Sequence, residues 1–395
     1  MSDILPLIGR EQEVFIKDIE NNSQELNELI KGSSILVIGG AGSIGQATVK
    51  ELFKRSPKKL YVVDLSENNL AELVRDIRSS IGYIEGDFKT FAIGSQSPEF
   101  GLFFSNEGPF DYILNLSALK HVRSEKDPYT LMRMIQVNNI SIADTLKSAA
   151  VQSGRKYFAV STDKAANPVN LMGATKRVME KILFAYSDTM NVSSARFANV
   201  AFSDGSLLHA FNMRIMKNQP IAAPSDVKRY FVTPEESGRL CMMSAMLGDN
   251  RDIFFPQLDT ELHMLDFKSI AERYLENRGL EAYPCDSEEE ARQMVKSLKK
   301  VNKWPCYFSS SNTTGEKLYE EFFTPEEQVD GERFSEIGIV KNIAQNRELV
   351  EEYINSIKSL VRAGKWSKQD LISKIELLVP ELIHEEKGFY LDGKM

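Results

Sequence analysis

Residues 35–45, ILVIGGAGSIG, place an apolar run directly before a turn with glycines at 39, 40, 42 and 45, and SIGQATVKELF continues with helical spacing. Strand, glycine turn and helix in immediate succession leave few folds open. Gly39, Gly42 and Gly45 permit the tight turn, a close approach of backbone to a pyrophosphate, and close packing of helix on strand. The pyrophosphate would then meet free N–H groups at Ser43, Ile44 and Gly45, where the helix begins. The next apolar run, KLYVVD, ends on Asp64, a carboxylate able to accept from the adenosine ribose hydroxyls and to repel a 2′-phosphate. No Arg or Lys follows in LSENN, so the pattern predicts NAD rather than NADP. Asp87, after IEG at what reads as the next strand end, is expected at the adenine edge, with a bare Gly-Asp turn as the alternative.

The same alternation continues. Helical stretches follow SILVIGG and KLYVVD, and another separates DYILNLSA from KYFAVSTD. Short apolar strands joined by helices at this spacing mean right-handed βαβ units and a parallel sheet covered on both faces. The fold class is therefore α/β, a doubly wound Rossmann sheet with a smaller, mainly helical C-terminal substrate-binding portion. Expected boundaries are a helical extension over 1–32, a cofactor-binding domain carrying the active site over 33–235, and a substrate-binding region with helices over 236–395. Val14, Phe15, Ile19, Leu26 and Leu29 give the extension a narrow apolar stripe that should pack on its own domain. Thr233-Pro234-Glu235-Glu236 reads as a helix start. Residues 264–278, 286–303, 341–363 and 367–385 read as helices.

Bulk properties exclude several classes. A net charge of −8 argues against non-specific nucleic-acid binding, which needs a basic surface. Cys241, Cys285 and Cys306 form neither a disulfide framework nor a metal-ligand spacing, and no metal is expected. Neither a basic-then-apolar leader nor a run approaching the roughly 18 apolar residues of a membrane span is present. The expectation is a cytoplasmic protein without membrane or nucleic-acid partners.

The GxxGxxG spacing resembles the short-chain dehydrogenase/reductase superfamily, whose members carry Tyr-x-x-x-Lys on the helix after the fifth strand. Here that place reads Met172-Gly173-Ala174-Thr175-Lys176. Residues four apart share a helix face, so Met172 and Lys176 both look toward the nicotinamide. Lys176 can hold its ribose, but a thioether moves no proton. The other candidates are Thr162, Asp163 and Lys164, after the strand KYFAV, where parallel sheets bind substrates. Spacing alone reads this stretch equally as an acid–base pair or as a solvated turn.

STDKAANPVNLMGATKRVMEK over 161–181 resembles the signature of bacterial polysaccharide-biosynthesis dehydratases that act on UDP-N-acetylglucosamine, including a subgroup with Met in place of Tyr. LIGRE at 7–11, DLSENNL at 64–70, ALKHV at 118–122, RFANV at 196–200, KRYFVTPEE at 228–236 and GEKLYEE at 315–321 extend the likeness. It implies an NAD-dependent 4,6-dehydratase in which Asp163 is the acid for the leaving 6-hydroxyl and Lys164 the base at C5. Thr162 with Lys176 would relay the 4-hydroxyl proton. Ser66, Phe88, Ser117, Ala118, Lys120 and Asn138 join the expected cofactor contacts; Lys120, His121, Asn199, Val200, Arg229 and Glu316 are the expected substrate contacts. A homo-oligomer is also implied. Two departures stand out. Thr313-Thr314 replace the family's Arg-Pro before GEK, and the membrane-spanning half of the large relatives is missing, which suggests a free-standing soluble form. A GDP-linked sugar, an epimerase, and a non-catalytic NAD-binding regulator remain the alternatives.

Overall fold

The computed structural model describes residues 4–257, 264–311 and 320–384. Its central sheet has seven parallel strands: β1 (Ser34–Ile38), β2 (Lys59–Asp64), β3 (Asp87–Ala92), β4 (Tyr112–Asn115), β5 (Lys156–Val160), β6 (Asn191–Ala195) and β7 (Asp252–Pro256). They lie in the order β3-β2-β1-β4-β5-β6-β7. Two antiparallel strands, β8 (Gln328–Asp330) and β9 (Ile337–Lys341), close the β7 edge.

Side chains of a strand alternate between faces, so each strand feeds two cores. In β1, Leu36 and Ile38 enter one core while Ile35 and Val37 enter the other, all essentially free of solvent. Burying each contributes roughly 1.5–3 kcal/mol before the entropy of ordering is subtracted. The first core is covered by helix α2 (Leu171–Ala185) and by the helices Pro128–Ile135 and Ser141–Val151. Helices α1 (Ser43–Phe53) and α3 (Pro234–Leu247) cover the second, packing against each other along their length.

The helix start at Thr233 is built as its sequence implies. The Thr233 hydroxyl accepts from the Glu236 N–H, and the Glu236 carboxylate accepts from the Thr233 N–H, a capping box with Pro234 at the first position. That carboxylate also takes the Arg10 guanidinium at 2.5 Å and the Val14 N–H at 2.8 Å, tying LIGRE to the domain. Phe15, Leu26 and Ile30 are fully buried, so the extension packs on its own domain.

The described residues beyond 236 are shared between the main sheet and a smaller lobe. β7, β8 and β9 return to the main sheet, and the helices Arg347–Ala363 and Lys368–Leu378 pack over α2. The smaller lobe mixes sheet and helix. Ile221–Pro224, Lys303–Ser309 and Glu281–Cys285 form a three-stranded parallel sheet, with Ile221, Tyr274, Trp304 and residues Leu7 and Ile8 in its core. Sequence periodicity finds such helices but cannot say which sheet a later strand rejoins. Among the described residues no helix is long and apolar enough to cross a membrane.

Candidate active site

The glycine turn leaves β1 with Gly39 at φ +74°, and a Cβ there would stand 2.5 Å from the Ser117 amide nitrogen. A Cβ on Gly45 would meet the Gly39 carbonyl oxygen at 2.3 Å, which fixes the close approach of α1 to the turn. Gly42, the N-cap of α1, differs. Its φ is −74°, and the nearest heavy atom to a built Cβ is 3.7 Å away. The fold itself does not demand glycine at 42; room over the first N–H groups of α1 does, and this fits a pyrophosphate. Asp64 closes β2 at the same sheet edge, its two carboxylate oxygens accepting from the Ala41 and Ser66 N–H groups at 3.0 and 2.9 Å. Ser66 caps the following helix. These residues fit the adenosine half of a dinucleotide.

Asp87 and Phe88 do not. Asp87 is the first residue of β3, not the last, and pairs with Lys59 at the opposite sheet edge, whereas Asp64 aligns with Ala92. Its carboxylate takes the Tyr61 hydroxyl at 2.5 Å and Lys89 at 2.8 Å, contacts that lower its pKa. Phe88 packs edge-on against Phe53. The sequence expectation mistook the start of a strand for its end, because IEGD resembles the turn that usually follows one.

Asn138 is also corrected. It is fully buried on a single π-helical turn, accepts from the Leu119 N–H, and donates to the Leu119 carbonyl and the Thr175 hydroxyl, each at 3.0 Å. With its oxygen and both amide hydrogens engaged, it braces the 117–120 loop against α2, a structural role in place of the expected cofactor contact. Within that loop the Ser117 hydroxyl donates to Asn115 at 2.6 Å, and Ala118 is half-buried.

The reactive groups gather at the carboxyl end of β5. Asp163 is buried and Lys164 donates to both its oxygens at 3.1 Å. Burial alone would pull the Lys164 ammonium down, but the carboxylates of Asp163 and Glu320 outweigh it and hold the pKa above the ordinary lysine range. The pair is thus an ion pair, whereas a resting base would need a depressed lysine. Thr162 donates its hydroxyl to Asp163 at 2.7 Å, turned toward the acid and not toward Lys176. On α2, Met172 is buried with its N–H held by Glu125 at 3.0 Å. Lys176, one turn on, donates to the Val160 carbonyl at 2.9 Å, and burial, opposed by Glu180, pulls its pKa to about 8.

Lys120 and His121, whose surfaces remain exposed, are both held below their ordinary pKa values, first by partial desolvation; Asp204 opposes the shift at Lys120, while Lys120 and Arg123 reinforce it at His121. The His121 ring lies against Gly205, and the neighbouring Asp204 N–H donates to the Ser43 hydroxyl at 2.9 Å. Val200 pairs with Val232 in a short parallel ladder that sets Asn199 beside Tyr230. Arg229 is buried, its Nε 3.7 Å from Glu320. The Asn199 amide also donates to Glu320, and the Tyr230 N–H reaches its other oxygen at 3.0 Å. Glu316, Thr313 and Thr314 lie outside the described residues.

Glu320 and Glu125 are site residues that sequence reasoning missed. Glu320 stands inside GEKLYEE, so the signal was there, but nothing in spacing says which acid of a motif is buried. Beneath the site, Arg196 is fully buried and carries Glu180 and Glu327 on its guanidinium at 2.7–2.9 Å, while Ser161 donates to Glu180 at 2.6 Å. Arg196 also donates to the Phe322 carbonyl at 2.8 Å, which anchors the segment carrying Glu320.

The family model described as polysaccharide biosynthesis protein matches residues 35–342. An uncharacterized membrane protein of Methanocaldococcus jannaschii is 29% identical over 329 residues, 80% of this chain and 88% of that one. The probable polysaccharide biosynthesis protein EpsC of Bacillus subtilis is 26% identical over 90% of this chain, which spans 55% of its length. The inverting UDP-N-acetylglucosamine 4,6-dehydratase of Campylobacter jejuni is 27% identical over 58% of this chain and 68% of its own. Among solved structures, Pen from Bacillus thuringiensis superposes with a TM-score of 0.64 at 22% identity, covering 82% of this chain and 98% of its own. The chain therefore belongs to the polysaccharide biosynthesis protein family and shares the doubly wound fold of that solved structure.

Proposed function

We propose that the chain is an NAD-dependent 4,6-dehydratase acting on UDP-N-acetylglucosamine in surface-glycan biosynthesis. The observation that carries this reading is the buried Asp163–Lys164 pair at 3.1 Å, set where a parallel sheet binds substrate and beside a helix with Met at the usual tyrosine position. Named relatives support the sugar, and DesIV, a dTDP-glucose 4,6-dehydratase of Streptomyces venezuelae solved with NAD, shares the fold at a TM-score of 0.54.

The backbone of Gly39, Gly42, Ser43, Ile44 and Gly45 would hold the pyrophosphate, Asp64 the adenosine ribose and Lys176 the nicotinamide ribose. NAD, when bound, supplies a hydride acceptor for C4 and returns the hydride to C6. The protein's own groups handle protons. Lys176, drawn to about 8, takes the 4-hydroxyl proton, a role its neighbour Thr162 is turned away from. Oxidation at C4 makes C5–H acidic and places the 6-hydroxyl β to a carbonyl. Neutral Lys164 then removes the C5 proton while protonated Asp163 gives its proton to the 6-hydroxyl, which leaves as water. Elimination leaves Lys164 ammonium beside Asp163 carboxylate; as hydride reaches C6, Lys164 gives a proton to C5, and the proton that Lys176 took from the 4-hydroxyl restores Asp163, so atoms and charge balance. The ion pair left after elimination is the pairing in the structure, Lys164 on both Asp163 oxygens at 3.1 Å. Arg229, Asn199, Lys120 and His121 would face the nucleotide and sugar, and Glu316 the uridine ribose.

UDP-glucose 4-epimerases of Rickettsia bellii also resemble the chain, at 26% identity, and an epimerase is the second reading. Met172 disfavours it, because direct C4 epimerisation relies on the missing phenol. Incubation with UDP-N-acetylglucosamine in deuterated water separates the cases by NMR and mass spectrometry. A 6-deoxy-4-keto sugar with deuterium at C5 is expected. A C4 epimer would transfer the assignment to the epimerases, and no product from UDP- or GDP-sugar with added NAD would favour a non-catalytic regulator.

A further inference from the structure

Glu320 has no assigned role in the reaction above, yet it is the most enclosed acid of the cluster, its side chain 2% exposed. Three segments converge on it. Asn199 donates to one oxygen, the Tyr230 N–H to the other at 3.0 Å, and the Arg229 Nε stands 3.7 Å away, an ion-pair distance too long for a hydrogen bond. Among the described residues, Asp163 and Lys164 also act on its charge. The next residue, Glu321, accepts from Asn167 on the loop after β5 at 3.0 Å, which ties the segment carrying Glu320 to the reactive loop.

We infer that Glu320 is a positioning residue of the acid–base cluster: from its place between the Asn199–Arg229 side and the Asp163–Lys164 pair, its charge decides which member of that pair carries the shared proton. The inference deepens the dehydratase reading and rests on it for the roles of the pair. Two carboxylates around one lysine in a poorly hydrated site repel each other, and one of them is driven to the neutral form. When Glu320 is anionic, it adds to the field that keeps Lys164 charged and unable to take a proton from C5. When it is neutral, that field weakens and the proton can rest on Asp163, the arrangement the elimination starts from. While the pair is ionic, burial and the Asp163 charge push the Glu320 pKa up to about 8 against the opposing pull of Lys164 and Arg229, so Glu320 is the acid neutralised first at pH 7.

The test compares wild type with Glu320→Gln and Glu320→Ala in two measurements. The first is an infrared titration with carboxyl-labelled glutamate, which needs no substrate. A protonated-carboxyl band at pH 7 that disappears around pH 8 and is missing from E320Q is expected. The second is the rate of 4-keto product formation against pH. E320Q is expected to be slower than wild type, but its rate divided by the wild-type rate should climb about tenfold between pH 7 and pH 9, because it has no proton to lose over that range. E320A, which strips the acceptor from Asn199 and Tyr230, should be slower still. A flat ratio, or a protonated band that persists in E320Q, overturns the inference and leaves Glu320 a structural acceptor. If wild type makes no 4-keto sugar the dehydratase reading fails instead, and the infrared titration still decides whether Glu320 is neutral.

Discussion

Replacing Arg196 by methionine removes the cation that holds the floor of the site together. Arg196 has no exposed surface and spends five hydrogen bonds on Glu180, Glu327 and the Phe322 carbonyl. Methionine fills the space but leaves two buried carboxylates with Arg177 as their remaining cation, at 3.1 and 2.9 Å. Breaking a buried pair by removing one partner costs about 3–5 kcal/mol, and the surviving Arg177 puts the expectation near the lower end. The pH dependence gives the charge-specific signature. Burial raises the Glu327 pKa, but Arg196 and Arg177 outweigh it and hold the value at about 2, below the unfolded 4.5. A depressed carboxylate stabilises the fold above its unfolded pKa and loses that contribution as pH falls, so wild type should lose about 1.4 kcal/mol from Glu327 between pH 6 and pH 3.5. The variant has little of that stabilisation left to lose. Urea unfolding at pH 7 and pH 3.5 measures both quantities. The gap between the proteins should be about 3 kcal/mol at pH 7 and narrower by about 1 kcal/mol in acid. Equal midpoints at pH 7, or a gap indifferent to acid, would refute the reasoning. Turnover should fall further than folding requires, because the Phe322 carbonyl anchors the segment that carries Glu320.

Asp163→Asn keeps the shape of the pair and removes its proton, so 4-keto product formation should drop by about 10²–10⁴-fold while circular dichroism is preserved; unchanged turnover would discard the acid assignment. The glycine turn separates folding from binding. Gly42→Ala meets nothing nearer than 3.7 Å and should leave the thermal midpoint in place while weakening NAD binding at least about tenfold by calorimetry. Gly39→Ala, at φ +74° and 2.5 Å from the Ser117 nitrogen, should destabilise the fold by more than about 1 kcal/mol. Equal effects of the two on the midpoint would show that position 42 is structural as well.

The doubly wound sheet was legible because its signals are local. Apolar runs of four to six residues, a glycine turn between β1 and α1, and Thr233-Pro234 at the head of α3 each dictate their own backbone, and the structure repeats them within a residue or two. Errors arose where a decision needed a partner distant in sequence. Asp87 sits in a turn-like IEGD, and only its pairing with Lys59 reveals that the strand begins there. Asn138 stands where a resemblance suggests a cofactor contact, yet its amide is filled by Leu119 and Thr175. The return of β7, β8 and β9 to the main sheet has no local mark at all.

The site shows the same division in its chemistry. Sequence can name acids and bases, but their work depends on protonation, which neighbours decide. Thr162, Asp163 and Lys164 were read as three proton carriers in a row; the structure turns the threonine onto the aspartate and binds the lysine to the same group. What the three lacked was a reason for Lys164 ever to be neutral. A fourth group supplies one, and it comes from a segment some 156 residues further along that reaches the loop because Arg196 holds Phe322 and Glu327 under it. A helix with Met172 at the phenol's place keeps Lys176 as its proton carrier, at a pKa of about 8. On the proposed dehydratase reading, loss of the tyrosine therefore does not leave the 4-hydroxyl without a base, and the elimination draws on the proton balance among Asp163, Lys164 and Glu320 together with the proton that Lys176 takes.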